Sequence, residues 1–179
     1  MINMKISNKF IGHRVYLKHL DKEDATQKYC DWLNDSQVNK YLATKNATIS
    51  DLQSYILNKN NQDNTLLFGI FMIEDNNYIG TVKLEPIDFH KKEATIAIMI
   101  GDKNYWGKGL AGEAMKLLID YCFNNLGYRS INLGVTKQNE SAVRTYQKLG
   151  FSIINIEEKA VRYPNGIFDQ VTMEIKNKK

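Results

Sequence analysis

The chain has 179 residues, 43% of them hydrophobic, and its 24 basic and 20 acidic side chains give a net charge of +4. This size and composition predict one domain over residues 1–179 with its own core. The charges are scattered apart from the lysines near the C-terminus, which argues against nucleic-acid binding. No apolar run approaches the roughly 18 residues that a membrane span needs, and no secretory leader precedes residue 20, so a cytoplasmic location is expected.

Hydrophobic periodicity and turn residues divide the chain into strands and helices. In chain order they are a strand at 13–17, helices at 21–33 and 50–58, strands at 66–73, 78–84 and 93–100, helix 110–123, strand 130–135, helix 139–149, and strands 151–160 and 167–175. Asp21 and the pair Ser50 and Asp51 are the expected N-terminal caps of the first two helices. Single helices between strands favour parallel crossovers and the remaining connections favour hairpins, so we expect a mixed sheet with helices on both faces.

A glycine-rich turn follows the strand at 93–100 and opens the longest helix. Residues 105–112 read Tyr-Trp-Gly-Lys-Gly-Leu-Ala-Gly. Glycines let the backbone approach a ligand closely, and the first N–H groups of a helix have no partner within the helix. Together with the positive end of the helix dipole, these features predict a phosphate or pyrophosphate site.

The glycine spacing also matches the dinucleotide fingerprint of nicotinamide oxidoreductases. The context disagrees, because the next strand ends in Thr136 and Lys137, where the fingerprint expects an acidic residue for the ribose. A P-loop is excluded because Lys108 is followed by glycine, where a Ser or Thr would hold magnesium. A nicotinamide oxidoreductase therefore remains an alternative hypothesis, which predicts that the dinucleotide stabilises the protein against unfolding.

A second segment, Thr-Lys-Gln-Asn-Glu-Ser-Ala-Val-Arg-Thr-Tyr-Gln-Lys-Leu-Gly-Phe at residues 136–151, completes the pattern. Together the two segments resemble the GNAT superfamily of acetyl-CoA-dependent N-acetyltransferases. Trp106 at the first position of the phosphate signature is similar to the branch that includes ribosomal-protein N-terminal and amino-sugar acetyltransferases. The resemblance implies a three-layer α/β/α fold of class α+β, with a mixed, mostly antiparallel, twisted sheet of about seven strands. It places acceptor-side helices at about 22–58 and an acetyl-CoA-binding core at about 93–151.

The resemblance also assigns contacts with acetyl-CoA, which would be a co-substrate, and implies no metal. Backbone groups of the strand edge would pair with the pantetheine amides, and those of the glycine turn would cradle the pyrophosphate. Candidate coenzyme contacts are Ile98, Met99, Ile100, Trp106, Gly107, Lys108, Gly109, Leu110, Ala111, Gly112, Asn139 and Arg144.

Tyr146 is the candidate general acid by the same resemblance. It lies seven residues after Asn139, so the two side chains project from one face of a short helix. A phenol with a pKa near 10 can protonate the thiolate that leaves when an amine attacks a thioester.

The general base is less well defined, because Thr95 stands where family members often have a glutamate. Glu93 lies two residues earlier on the same strand face and is the expected base, and Glu85, Asp88 and His90 near the adjoining turn are the alternatives. Candidate acceptor contacts are Trp32, Tyr41, Glu85 and Asp88.

The leading hypothesis is direct acetyl transfer from acetyl-CoA to a primary amine of a small molecule in a ternary complex. A nucleotide-linked amino-sugar is the first candidate acceptor, ahead of a polyamine and a protein N-terminus. The family also implies a homodimer as one assembly. Because Thr95 replaces the usual glutamate, the alternative hypothesis outside the enzymes is a coenzyme-binding module without catalytic activity.

Overall fold

The computed structural model describes residues 9–42, 44, 46–163 and 165–178. The described residues form eight strands: β1 (Lys9–Ile11), β2 (Val15–His19), β3 (Leu66–Met72), β4 (Tyr78–Asp88), β5 (Glu93–Ile100), β6 (Ser130–Thr136), β7 (Ser152–Tyr163) and β8 (Gly166–Lys176). They also form four α-helices: α1 (Gln27–Asn34), α2 (Ile49–Asn60), α3 (Leu110–Asn124) and α4 (Glu140–Lys148). Short 3-10 turns lie at Lys22–Asp24, Asn39–Tyr41 and Lys103–Tyr105.

The strands form one sheet in the order β1-β2-β3-β4-β5-β6-β8-β7. Neighbouring strands are antiparallel except β5 and β6, which run parallel because α3 connects them by a crossover. The expected mixed, mostly antiparallel α+β sheet is therefore confirmed. The strand β8 lies between β6 and β7, so the crossover through α4 skips one position in the sheet.

Two apolar cores lie on the two faces of the sheet. Phe68 belongs to the core beneath α3 and α4, and Leu67 belongs to the core beneath α1 and α2, as expected for successive residues of a strand. The buried face of α3 includes Ala114, Leu118 and Cys122 at helical spacing. Burying a leucine such as Leu118 contributes about 2 kcal/mol, so this face fixes the helix against the sheet.

Three local predictions are corrected. The strand β1 precedes the first predicted strand and pairs with β2. The first predicted helix is divided, because Asp21 caps a 3-10 turn and Thr26 then caps α1. The N-cap of α2 is Thr48 rather than Ser50, and Asp51 completes a capping box at the third helical position.

The strands predicted at 151–160 and 167–175 correspond to β7 and β8, which form a hairpin as expected for a connection without a helix, with Tyr163 paired to Gly166. Pro164 lies outside the described residues. No helix in the described part of the chain is long and apolar enough to span a membrane.

Candidate active site

A cleft opens where the two parallel strands at the centre of the sheet separate. β5 and β6 pair only from Glu93 to Thr95 and from Ser130 to Asn132. Beyond these pairs, a cavity of about 950 Å³ lies between Ile96–Ile100 on one side and Gly134–Thr136 on the other. Ala97 is exposed although its strand is central in the sheet, so the opening exposes surface that continued pairing would bury.

The backbone of β5 presents hydrogen-bonding groups to this cleft. The Gly101 N–H donates to the carbonyl of Ile79 on β4. An antiparallel ladder alternates, so the backbone groups of Ile98 and Ile100 point away from β4 and toward the cleft. The indole N–H of Trp106 donates to the Ile100 carbonyl at 2.7 Å. Ile98 is therefore the residue that offers both an N–H and a carbonyl along this edge.

The glycine turn forms one end of the cleft. Gly107 and Gly109 have φ values of +72° and +75°, which side chains rarely adopt. Gly109 is the N-cap of α3, and no side chain caps that helix. The Glu113 N–H is the first to bond back to the helix start, at Gly109, so the three preceding amides have no helical partner. These three, Leu110, Ala111 and Gly112, all line the cleft.

Arg14 and Glu113 hold this turn against β2. One Glu113 oxygen accepts from the N–H groups of His13, Arg14 and Val15, and the other accepts from the Arg14 guanidinium at 2.9 Å. The same guanidinium donates to the Lys108 carbonyl. Burial acts to raise the pKa of Glu113, but the Arg14 contacts and the Val15 N–H outweigh it and hold that pKa below its ordinary value. Sequence reasoning missed both residues, since an isolated arginine or glutamate carries no motif.

Three of the sequence candidates lie on α4 and line the cleft. Burial raises the pKa of Tyr146 to about 12, and its ring packs against Phe151 with centroids 6.1 Å apart. The hydroxyl makes no hydrogen bond with a described residue, and Asn139 is the N-cap of α4 without a side-chain capping bond. Arg144 pairs with Glu140 on the exposed side. Tyr146 and Asn139 thus share the cleft, each with polar atoms free of protein partners among the described residues.

A group of three aromatic rings closes the cleft on the side of α1 and α2. The Tyr41 ring packs edge-on against Tyr163 and Phe168, with centroids 6.3 and 6.1 Å apart. The Tyr163 hydroxyl lies 3.2 Å from that of Thr136 on β6. These contacts connect the 3-10 turn before α2 with the β7–β8 hairpin.

A second cavity of about 450 Å³ adjoins the cleft. The two share Leu42, Ala97, Ile98 and Met99, so they meet at the parted edge of β5. The other described residues that line the second cavity come from α1, α2 and strands β3 and β4 or their connecting segments: Tyr29, Leu33, Thr44, Asn46, Ala47, Asp51, Leu52, Tyr55, Leu67, Thr81 and Lys83. We refer to it as the acceptor cavity.

Several predicted site residues line neither cavity. Trp32 is buried, and a Cβ on Gly101 would lie 2.1 Å from its ring, so it packs against the end of β5. Glu85 is paired with Lys59 and Lys83, and Asp88 accepts hydrogen bonds from the turn amides of residues 90 and 91. The Lys108 ammonium lies 5.3 Å from the centre of the Tyr105 ring.

Glu93 also lies outside both cavities. It shares a strand face with Thr95, as the sequence predicts, and by the same alternation with Ala97, but four residues of strand place it about 13 Å from Ala97. Thr95 lies between them and donates to Asn132 at 2.7 Å. A shared strand face says nothing about distance along the strand, so Glu93 can share the face of Thr95 and still lie outside the cleft. Its role as the base stays a prediction.

Comparison with known proteins agrees with this architecture. A family model described as an acetyltransferase (GNAT) domain matches residues 14–152. The spermidine N(1)-acetyltransferase of Escherichia coli (strain K12) is 33% identical over 148 residues, which cover 79% of this chain and 75% of that protein. An uncharacterized N-acetyltransferase of Bacillus licheniformis is 30% identical over 77% of this chain and 79% of its own length.

Solved structures share the fold. A GNAT-family acetyltransferase from Bacillus anthracis has a TM-score of 0.83 at 19% identity, and the match covers 96% of this chain and 99% of that one. Spermidine N-acetyltransferase from Vibrio cholerae, solved in complex with CoA and spermine, has a TM-score of 0.83 at 22% identity, with coverage of 93% and 97%. The chain described here therefore belongs to the GNAT family of acetyl-CoA-dependent N-acetyltransferases.

Proposed function

We propose that this enzyme acetylates a primary amine of a small molecule by direct attack on acetyl-CoA, with Tyr146 as the general acid. The observation that carries the proposal is that Tyr146 lines the cleft. The backbone edge at Ile98 and the free amides at the start of α3 line the same cleft. One cavity thus combines amides suited to a phosphate, a strand edge suited to the amides of pantetheine, and a proton donor.

The backbone of this chain has the groups that the coenzyme requires. The amides of Leu110, Ala111 and Gly112 would hold the pyrophosphate, because they are partnerless N–H groups at a helix N-terminus. The Ile98 N–H and carbonyl would pair with the pantetheine amides. Arg144 and Asn139 line the same cavity and would contact the coenzyme from α4.

Acetyl-CoA supplies the thioester carbonyl that the amine attacks, and a thiolate leaves. Tyr146 holds the proton that this thiolate needs, and burial keeps the phenol protonated at neutral pH. Cys30 and Cys122 are buried and line neither cavity, which supports direct attack without an acetylated cysteine.

Removal of the amine proton is assigned to water. No described histidine or carboxylate lines the cleft, and Asp51 is the one described carboxylate in the acceptor cavity. Its pKa lies below the ordinary value because the Thr48 hydroxyl and amide donate to it. A carboxylate with a lowered pKa is a poor base, so the first proton acceptor is a water molecule in the cavity.

Two acceptor classes are candidates. A nucleotide-linked amino-sugar is favoured by the resemblance of Trp106 to that branch of the family. A polyamine is favoured by the similarity to spermidine N(1)-acetyltransferase. Both present a primary amine, and they differ in the sign of the charge on the rest of the molecule.

A thiol-release assay with acetyl-CoA and a panel of amines tests the proposal. The panel contains nucleotide amino-sugars, polyamines, simple alkyl amines and N-terminal peptides. We expect release that depends on the amine and disappears without it. Stabilisation of the protein by CoA together with no release from any amine would instead indicate a coenzyme-binding module that does not use these acceptors.

A further inference from the structure

The indole of Trp106 lies at one end of the strand edge that faces the cleft. Its ring N–H donates at 2.7 Å to the carbonyl of Ile100, six residues earlier in the chain. The carbonyl of Ile98, two residues before Ile100, also points away from β4, and no described side chain donates to it. Trp106 therefore makes two otherwise equivalent carbonyls of the edge unequal as acceptors for a ligand.

The 3-10 turn before Trp106 holds the indole in this place. The Trp106 N–H donates to the carbonyl of Lys103, the first residue of that turn. The Lys103 ammonium pairs with Asp35 at the end of α1, and the Tyr105 hydroxyl accepts from the side chain of Asn77. The turn is thus attached to two other segments of the fold, which fixes the backbone from which the indole extends.

A ligand that pairs with a strand edge has more than one possible register. A shift by two residues presents the same pattern of N–H and carbonyl groups, because a strand repeats every two residues. Such a shift from Ile98 to Ile100 would move the ligand by about 7 Å, since each residue extends a strand by about 3.4 Å. A general acid must lie within hydrogen-bond reach of its partner, so Tyr146 can serve only one of the two registers.

We propose that Trp106 is a positioning residue that confines the pantetheine arm of acetyl-CoA to the register at Ile98. The inference rests on the proposed binding of acetyl-CoA along this edge. At Ile98 the arm donates to a carbonyl without a protein donor, whereas at Ile100 it competes with the indole for a carbonyl that is already satisfied. The difference of one neutral hydrogen bond favours the Ile98 register by about five-fold.

A shortened donor isolates this effect from that of the glycine turn. The free amides at the start of α3 would hold the pyrophosphate, so acetyl-CoA is positioned at two places. S-acetylpantetheine lacks the pyrophosphate, and the strand edge alone sets its register. The shortened donor should therefore depend on Trp106 more than acetyl-CoA does. A residue that only supports the turn would have the opposite effect, because only acetyl-CoA uses the turn.

Trp106→Phe tests the proposal, since it keeps a ring and removes the N–H donor. Trp106 is 43% exposed, so the variant should fold. A donor molecule in the wrong register occupies the site without reacting, which lowers kcat and KM by the same factor. With S-acetylpantetheine and the best amine of the panel, we expect both constants to fall about two-fold and kcat/KM to stay constant. With acetyl-CoA, both constants should change less.

Two further variants separate the hydrogen bond from the shape of the turn. Trp106→His keeps a ring N–H and should retain most of the wild-type kcat with the shortened donor. Tyr105→Phe loses the bond from Asn77 and loosens the same turn while the indole N–H remains, so it should not lower kcat and KM together. Trp106→Phe would overturn the inference if it changed neither constant with the shortened donor, or if it lowered kcat/KM mainly with acetyl-CoA.

Hydrogen exchange in the presence of pantetheine measures the register without turnover. Protection of the Ile98 amide relative to the Ile100 amide should fall about five-fold in Trp106→Phe and stay at the wild-type value in Tyr105→Phe. If no amine releases thiol from either donor, the proposed acetylation fails for these acceptors, and this ratio still decides the role of Trp106. An unchanged ratio in Trp106→Phe, or protection at neither amide in the wild type, would overturn the inference.

Discussion

The Arg14 guanidinium donates to the Lys108 carbonyl at 3.0 Å, although 94 residues separate them in sequence. This bond connects the segment before β2 to the centre of the glycine turn. The same side chain pairs with Glu113, in the first turns of α3. Arg14 therefore fixes the backbone on which the pyrophosphate would lie.

Arg14→Gln is expected to weaken CoA binding about five-fold, on the order of 1 kcal/mol, because the turn loses two of its anchors. Isothermal titration with CoA measures the effect. Lys116→Gln removes an exposed pair of similar kind on the same helix and should leave the affinity unchanged. Equal affinities in both variants would remove the positioning role of Arg14.

Alanine substitutions at two glycines of this segment should change the stability of the protein in opposite directions. Gly109→Ala forces a side chain onto a φ of +75° and should destabilise the protein by about 1 kcal/mol or more. Gly112 lies within α3, and its nearest side-chain atoms would be 3.8 Å from a new Cβ. Gly112→Ala should therefore stabilise by about 0.5–1 kcal/mol, as in other helix interiors. Chemical denaturation of both variants gives the signs, and a stabilised Gly109→Ala would contradict the turn geometry.

Tyr146→Phe should lower turnover about ten-fold or more and leave CoA affinity nearly unchanged, because it removes only the proton donor. The control is Tyr121→Phe, since Tyr121 packs against Phe10 and lines neither cavity. In the wild type, the phenol with a pKa of about 12 stays protonated, so ionisation of Tyr146 should cause no loss of turnover below about pH 10. Unchanged turnover in Tyr146→Phe would remove the assigned role.

Glu113 should make stability depend on acid pH. Its folded pKa lies below the ordinary value, so its contribution is present above the unfolded pKa near 4.3 and is lost as the pH falls through the folded pKa. Glu113→Gln should thus lower the melting temperature at pH 7, and the gap from the wild type should narrow toward pH 3. Melting curves over this range test it, and a gap independent of pH would show that the carboxylate charge contributes nothing.

Hydrogen exchange distinguishes the two faces of β5. Ile98 points its N–H toward the cleft, whereas the antiparallel ladder directs that of Met99 to β4. CoA should slow exchange at Ile98 by about ten-fold or more and change Met99 much less. Equal changes at the two amides would argue against pairing along this edge.

The sequence predicts the element order and places the glycine turn, Asn139 and Tyr146 beside one another, because periodicity, glycine turns and the Asn139 to Tyr146 spacing are local signals. It misses β1, whose three residues are too short for a period, and it cannot show that β8 separates β6 from β7. Position along a strand is equally hidden, so the sequence does not show that Glu93 lies outside both cavities.

Long-range partners explain the remaining differences. Glu85 is an isolated acidic residue in sequence, but folding pairs it with Lys59 and Lys83 from two different elements. Lys83 itself alternates with apolar neighbours like any strand lysine. Its place in the wall of the second cavity and its pairing with Glu85 appear only in the folded chain.

Because β5 and β6 part beyond Thr95 and Asn132, part of the central sheet lacks strand pairing. A bound pantetheine arm would act as a short extra strand, so binding of the substrate would also complete the pairing of this strand edge. The free enzyme forgoes several strand pairings at its centre to keep the gap open. Substrate binding should therefore make the centre of the sheet more rigid, although in most proteins the centre of a sheet is rigid without a ligand.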